Sequence, residues 1–147
     1  MGFKAAALAL VLCLGLGLVG ARAADGGSTP DAADRALIER TIRAQMTAFQ
    51  REDGDAAFRH AAPEIHAKFG TAELFMRLVR EHYRPVYRPR SVQFGDLLVI
   101  DGVPAQEVSV VGPDGRPYLA LYLMERQPDG AWKIRGCLIR PDEGSAT

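Results

Sequence analysis

Three turn signals divide the second half of the chain into four stretches of similar length, and this spacing constrains the fold more than any other feature. Asp101-Gly102, Pro113-Asp114-Gly115 and Pro128-Asp129-Gly130 each set a glycine where the backbone must reverse with positive φ. Between them the pattern predicts strands over Val92–Ile100, Val103–Val111, Pro117–Arg126 and Trp132–Arg140. Connections this short join neighbours only as antiparallel hairpins, and no crossover helix separates the strands, so a parallel sheet is excluded. In the third strand Leu119, Leu121 and Leu123 alternate with Tyr118, Ala120, Tyr122 and Met124, so both faces are apolar. Such a strand is expected to be central and to need cover on both sides.

Ahead of the sheet the apolar period is helical. A first helix is expected to start near Thr29-Pro30, where a hydroxyl cap precedes a proline. Leu37, Ile38, Ile42, Met46 and Phe49 form its buried stripe, and Glu39 and Arg43 its wet face. Gly54 ends it, and Asp55 caps a short helix over Ala56–Ala62 that Pro63 terminates; Pro63 to Phe69 adds a turn or two, closed by Gly70. Thr71 then caps a third main helix, whose inward face is read as Leu74, Phe75, Leu78, Val79 and His82. The fold class is therefore α+β, with N-terminal helices packed on a curved four-stranded antiparallel meander.

Residues 1–23 read as a secretory signal: Lys4, an apolar run from Ala5 to Val19, and Ala21-Arg22-Ala23 as the small-x-small cleavage pattern, with cleavage after Ala23. The run is too short to span a bilayer, so no membrane attachment is expected after cleavage. Residues 24–30 form a flexible leader, 31–141 a single domain, and 142–147 a tail. The expected compartment is periplasmic or extracellular. The full chain balances 18 Lys plus Arg against 18 Asp plus Glu, and losing Lys4 and Arg22 leaves the remainder two charges negative. A slightly acidic domain without a basic face does not suit nucleic acid. Cys137 is the lone thiol of the mature chain and lies in an apolar strand, where burial as a small hydrophobe is expected.

Ala48-Phe49, Gly54-Asp55, Ala62-Pro63-Glu64-Ile65 and Phe69-Gly70 resemble the helical opening of the nuclear-transport-factor-2-like superfamily, also described as SnoaL-like or cystatin-like. The run from Tyr122 to Ile134 is similar to that superfamily's last hairpin. More narrowly, Ala36 to Leu138 resembles a bacterial family of exported proteins known as domain of unknown function 4864. The resemblance implies a cone, with a bent sheet wrapped around helices and often a pocket inside. That fold hosts isomerases, cyclases, dehydratases and silent binding modules alike, so it assigns no activity. The narrower family brings no catalytic residues to carry over.

The residues themselves suggest two kinds of chemistry and argue against a third. His60, His66 and His82 lack metal-ligand spacing, and no paired cysteines exist, so neither metal nor cofactor is expected. An acid/base pocket would use Glu107, which interrupts an apolar strand, with Tyr118 and Tyr122 as hydrogen-bond donors. The segment Tyr83-Arg84-Pro85-Val86-Tyr87-Arg88-Pro89-Arg90 repeats Tyr-Arg-Pro, and its prolines are expected to hold it extended. Arg84 and Arg88, with Tyr83 and Tyr87, could rim an anion-accepting pocket with His82 beneath it.

No complete catalytic constellation is present, which favours a non-catalytic module binding a small apolar or anionic molecule, or a protein. A cofactor-free isomerase or dehydratase is the alternative, and a structural or protein-interaction dimer the third reading. A homodimer through the sheet follows from the doubly apolar third strand.

Overall fold

The computed structural model describes residues 29–144, so the signal segment, most of the leader and the last three residues lie outside it. Five helices precede one sheet. Helix α1 (Ala32–Gln50) starts two residues later than expected, because Asp31 rather than Thr29 is the cap. Asp31 accepts the Asp34 backbone N–H at 2.8 Å, and Asp34 accepts the Asp31 N–H at 3.2 Å, a reciprocal capping box that outcompetes a single hydroxyl. Ile38, Ile42, Met46 and Phe49 are buried as the stripe requires, whereas Leu37 is exposed. Glu39 pairs with Arg35 at 3.3 Å, and Arg43 instead lies over the Phe94 ring at 4.4 Å.

Helix α2 (Gly54–Arg59) is capped by Asp53, not Asp55, and includes Gly54 instead of beginning after it. A Cβ at Gly54 would stand 2.9 Å from Met76 Cγ, so this glycine permits close approach of two helices and is not a stop signal. Helix α3 (Pro63–Phe69) carries proline in its first turn and closes at Gly70. Helix α4 (Ala72–His82) is capped by Thr71 as expected. Its buried face is Phe75, Met76 and Val79, while Leu74 and His82 are exposed. The true stripe is rotated by about one residue, because α2 takes Met76 as its packing partner across Gly54.

The Tyr-Arg-Pro segment is not extended. Arg84–Tyr87 forms a turn of helix, α5, in which Tyr87 N–H donates to Tyr83 C=O at 3.0 Å and Arg88 N–H to Arg84 C=O at 3.0 Å. Pro85 stands in that helix's first turn, where its missing N–H costs nothing.

Strands β1 (Ser91–Ile100), β2 (Val103–Val111), β3 (Pro117–Arg126) and β4 (Trp132–Pro141) follow in a meander of order β1-β2-β3-β4, every pair antiparallel. Asp101 and Gly102 have φ of 50° and 77°, the tight reversal that the dipeptide announced. Two bulges bend the sheet, one at Gly95-Asp96 in β1 and one at Arg135 in β4. Gln106 pins the first: its side-chain amide donates to the carbonyls of Gly95 at 3.0 Å, Asp96 at 3.3 Å and Glu107 at 2.9 Å.

Two packing clusters fill the space between helices and sheet. The larger joins Ile38, Ile42 and Met46 of α1 to Val108, Val110, Ala120, Tyr122, Met124, Trp132 and Ile134 of the sheet. The smaller joins Phe49, Phe58, Phe75, Val79 and Tyr87 among the helices. Asp34 fastens α1 to the sheet, accepting the Trp132 indole N–H at 3.2 Å and pairing with Arg126 at 3.2 Å. β3 is central as expected, but this chain covers only its Ala120-Tyr122-Met124 face. Leu119 and Leu121 face away from the helices and are half-buried, while Leu123 reaches the edge of the sheet beside α3.

Candidate functional site

A cavity of about 230 Å³ lies at the seam between the two clusters. Its deep walls are Gln45, Phe49, Phe75, Val79, Val86, Tyr122 and Ile134; its outer rim is Lys68 of α3 with Arg135, Gly136 and Leu138 of β4. Residues 60–62 shape one side of that rim. Ala62 N–H donates to Ile134 C=O at 2.8 Å and Ile134 N–H to His60 C=O at 2.9 Å, so this segment runs parallel to β4 as far as the bulge and then gives way to α3. The lining is largely hydrocarbon and aromatic, with a few polar groups placed singly, as in small-molecule sites.

Tyr122 is the notable polar group. Its side chain is 1% exposed, and its hydroxyl has no hydrogen-bond partner. Burial pushes its pKa well above the usual tyrosine value, with the neighbouring Cys137 adding to the effect. Cys137 stands directly across the strand pair from Tyr122, and burial pushes its thiol up to about 12. Both groups are protonated at neutral pH, so the site holds a phenol and a thiol and neither of their anions. Gln45, also buried, donates to Ala57 C=O at 3.2 Å and ties α1 to α2.

Of the candidate residues read from the sequence, the structure brings Tyr83, Tyr122 and Cys137 together at this cavity and sets the rest outside it. Glu107 does not point inward. It pairs across β3 with Leu121, on the face away from the helices, and Gln106 takes the inward position. The alternation that buries Val108 and Val110 also buries residue 106, and one step of register reverses a side chain's face. Tyr118 lies at the far end of β3, where its hydroxyl donates to Asp114 at 2.6 Å. His82 is not beneath any pocket: its side chain is 65% exposed, with Glu81 at 3.9 Å as its closest carboxylate.

The arginines of the Tyr-Arg-Pro segment turn to an internal partner. Arg80 and Arg88 converge on Glu52, just beyond α1, at 2.9 and 2.7 Å, and both guanidinium groups flank the buried Tyr87 ring. The Tyr87 hydroxyl, then Arg88 and Arg80, hold the Glu52 carboxyl down to about 2. Arg84 points elsewhere, lining a separate hollow with Pro85, Pro113, Asp114 and Tyr118. Among the described residues no group of three or more His, Cys, Asp or Glu side chains is arranged to hold a metal ion, and no helix is long and apolar enough to cross a membrane.

Sequence reasoning missed Lys68, Arg135 and Gln45. Gln45 carried a signal, a polar side chain set among Ile42, Met46 and Phe49 on the buried stripe. Lys68 and Arg135 carried none, because only the packing of α3 beside the β4 bulge brings them to one rim. No curated protein and no solved structure matches the chain. Residues 31–147 match the family model described as Domain of unknown function (DUF4864), and the chain belongs to that family.

Proposed function

We propose that this domain is a non-catalytic binding module that admits a small, mostly apolar molecule into the cavity between its two packing clusters. The observation that carries the reading is the cavity itself, open at a polar rim and walled by Phe49, Phe75, Val79, Val86 and Ile134. An apolar recess of this kind gains free energy when an apolar molecule displaces its water. The lining holds no carboxylate or imidazole among the described residues, and its thiol and phenol are both protonated at neutral pH. Glu107, the base of the isomerase or dehydratase alternative, faces the other side of the sheet. These facts favour retention of a ligand over turnover. The bent sheet and the hollow beside it also suit the cone of the nuclear-transport-factor-2-like superfamily, and the N-terminal pattern of Lys4, apolar run and Ala21-Arg22-Ala23 suits export before the module acts.

The test is calorimetric titration of the purified protein with 1-naphthol, a neutral apolar molecule with one polar atom, beside a Leu78→Trp variant that fills the cavity. Saturable one-to-one binding that the variant loses while keeping its melting temperature supports the reading. Heat that never saturates, or equal binding by Leu78→Trp, overturns it.

A second reading, a homodimer through the outer sheet face, draws on one specific feature. Leu98 and Ile100 are exposed on the same face as the half-buried Leu119 and Leu121. An apolar surface spread over neighbouring strands is the kind that a second copy covers.

A further inference from the structure

The binding reading leaves the ligand's chemistry open, and the charges on the cavity narrow it. Only two side chains of the lining carry a formal charge, Lys68 and Arg135, and both are cations at the rim. Neither is committed elsewhere. Lys68 makes no ion pair among the described residues, its ammonium lying 5.6 Å over the Phe69 ring. Arg135 reaches only the highly exposed Glu64, at 3.8 Å, a contact of little worth in water. Arg80 and Arg88, by contrast, already share Glu52 at 2.9 and 2.7 Å, so the pair at the cavity rim is freer than they are to meet an anion.

The β4 bulge puts Arg135 where it is. An extra residue opposite Leu123 and Met124 breaks the alternation and re-aims one side chain toward the strand edge, facing α3. Behind the two cations the walls are Phe49, Phe75, Val79 and Val86, which offer an anion nothing. Burying a carboxylate there without a counter-charge would be prohibitive, whereas a carboxylate held at the rim keeps its water and gains two cations.

We infer that the ligand is a small amphipathic anion. Its carboxylate or sulfonate head sits at Lys68 and Arg135, and its apolar body runs inward along the seam toward Tyr122. This inference rests on the binding reading but fails separately from it.

The experiment titrates the purified protein with octanoate, octan-1-ol and octylamine, which share an apolar body and differ in the charge of the head. Octanoate is expected to bind about tenfold tighter than octan-1-ol, and octylamine more weakly than either. The octanoate advantage should shrink to less than about twofold in Lys68→Gln/Arg135→Gln, and likewise in about 0.5 M salt, with octan-1-ol affinity unchanged in both. Both side chains are solvent-exposed, so the double variant should melt as the wild type does. Octan-1-ol binding as tightly as octanoate would overturn the anionic ligand while leaving the binding module standing. Octanoate binding that survives the double substitution would place the head elsewhere and also overturn the inference. Binding by none of the three would defeat the binding module itself.

Discussion

Replacing Tyr122 by Phe removes one buried oxygen from behind the cavity wall, and the structure dictates the sign of the consequence. The ring remains packed among Val108, Ala120 and Ile134, so little dispersion energy is lost. The departing hydroxyl is buried and makes no hydrogen bond, and Cys137, its nearest polar neighbour, offers only a weak sulfur partner. An unsatisfied hydroxyl costs roughly 1–3 kcal/mol; taking the lower end for the sulfur contact, the ligand-free Tyr122→Phe protein should gain about 1 kcal/mol. A folded unit of about 115 residues unfolds with an entropy near 0.24 kcal/mol/K, so the midpoint should rise by about 4 °C. Scanning calorimetry of the ligand-free protein measures that rise, and urea unfolding should give the same gain with an unchanged slope. Affinity for a cavity ligand should meanwhile change by less than about twofold, because the buried hydroxyl presents no surface to the cavity. A Tyr122→Phe protein that is less stable than wild type by about 1 kcal/mol would refute the reasoning, because the hydroxyl would then make a structural bond and not be an unsatisfied group.

Three other outcomes are expected. Ile42→Ala should cost about 3 kcal/mol in urea unfolding, since Ile42 is fully buried between α1 and the sheet and its removal leaves a cavity. Glu52 is held down to about 2 in the folded protein, below the value of its unfolded form, so its contribution is complete above about pH 4.5 and disappears as pH falls from there toward 2. A Glu52→Gln variant should therefore show a flatter fall of melting temperature across that window than wild type; parallel curves would deny the Arg80–Glu52–Arg88 cluster any role. Leu121→Lys places a charge in the middle of the outer sheet face, and light scattering should find wild type dimeric and this variant monomeric at tens of micromolar. A monomeric wild type would end the dimer reading.

The sheet was legible almost residue by residue, for a local reason. Each reversal is set by two or three adjacent residues such as Asp101-Gly102, and the strands between them are the shortest path from one turn to the next. The helices were legible in number but not in phase. Leu74 and Met76 both fit a stripe with Phe75 and Val79, and only the approach of α2 at Gly54 decides between them. The Tyr-Arg-Pro segment misled because proline signals a break in the middle of a helix but is welcome in its first turn, and α5 is almost nothing but first turn. Half of the candidate site was visible as residue types, since Tyr122 and Cys137 stand out on apolar strands. Lys68 and Arg135 were invisible because their meeting depends on a bulge, and a bulge one residue long leaves no mark in the alternation of Ile134, Cys137 and Ile139 that a reader can separate from noise.

The central claim is that the seam between the two clusters takes in a ligand, and methyl-resolved NMR tests it most directly. Octanoate added to protein labelled at Ile, Leu and Val methyls should shift Leu78, Val79, Val86 and Ile134 in a saturable, one-to-one manner, while Leu98 and Ile100 on the outer sheet face stay still. Shifts confined to the outer face, with the seam methyls unmoved, would contradict the account.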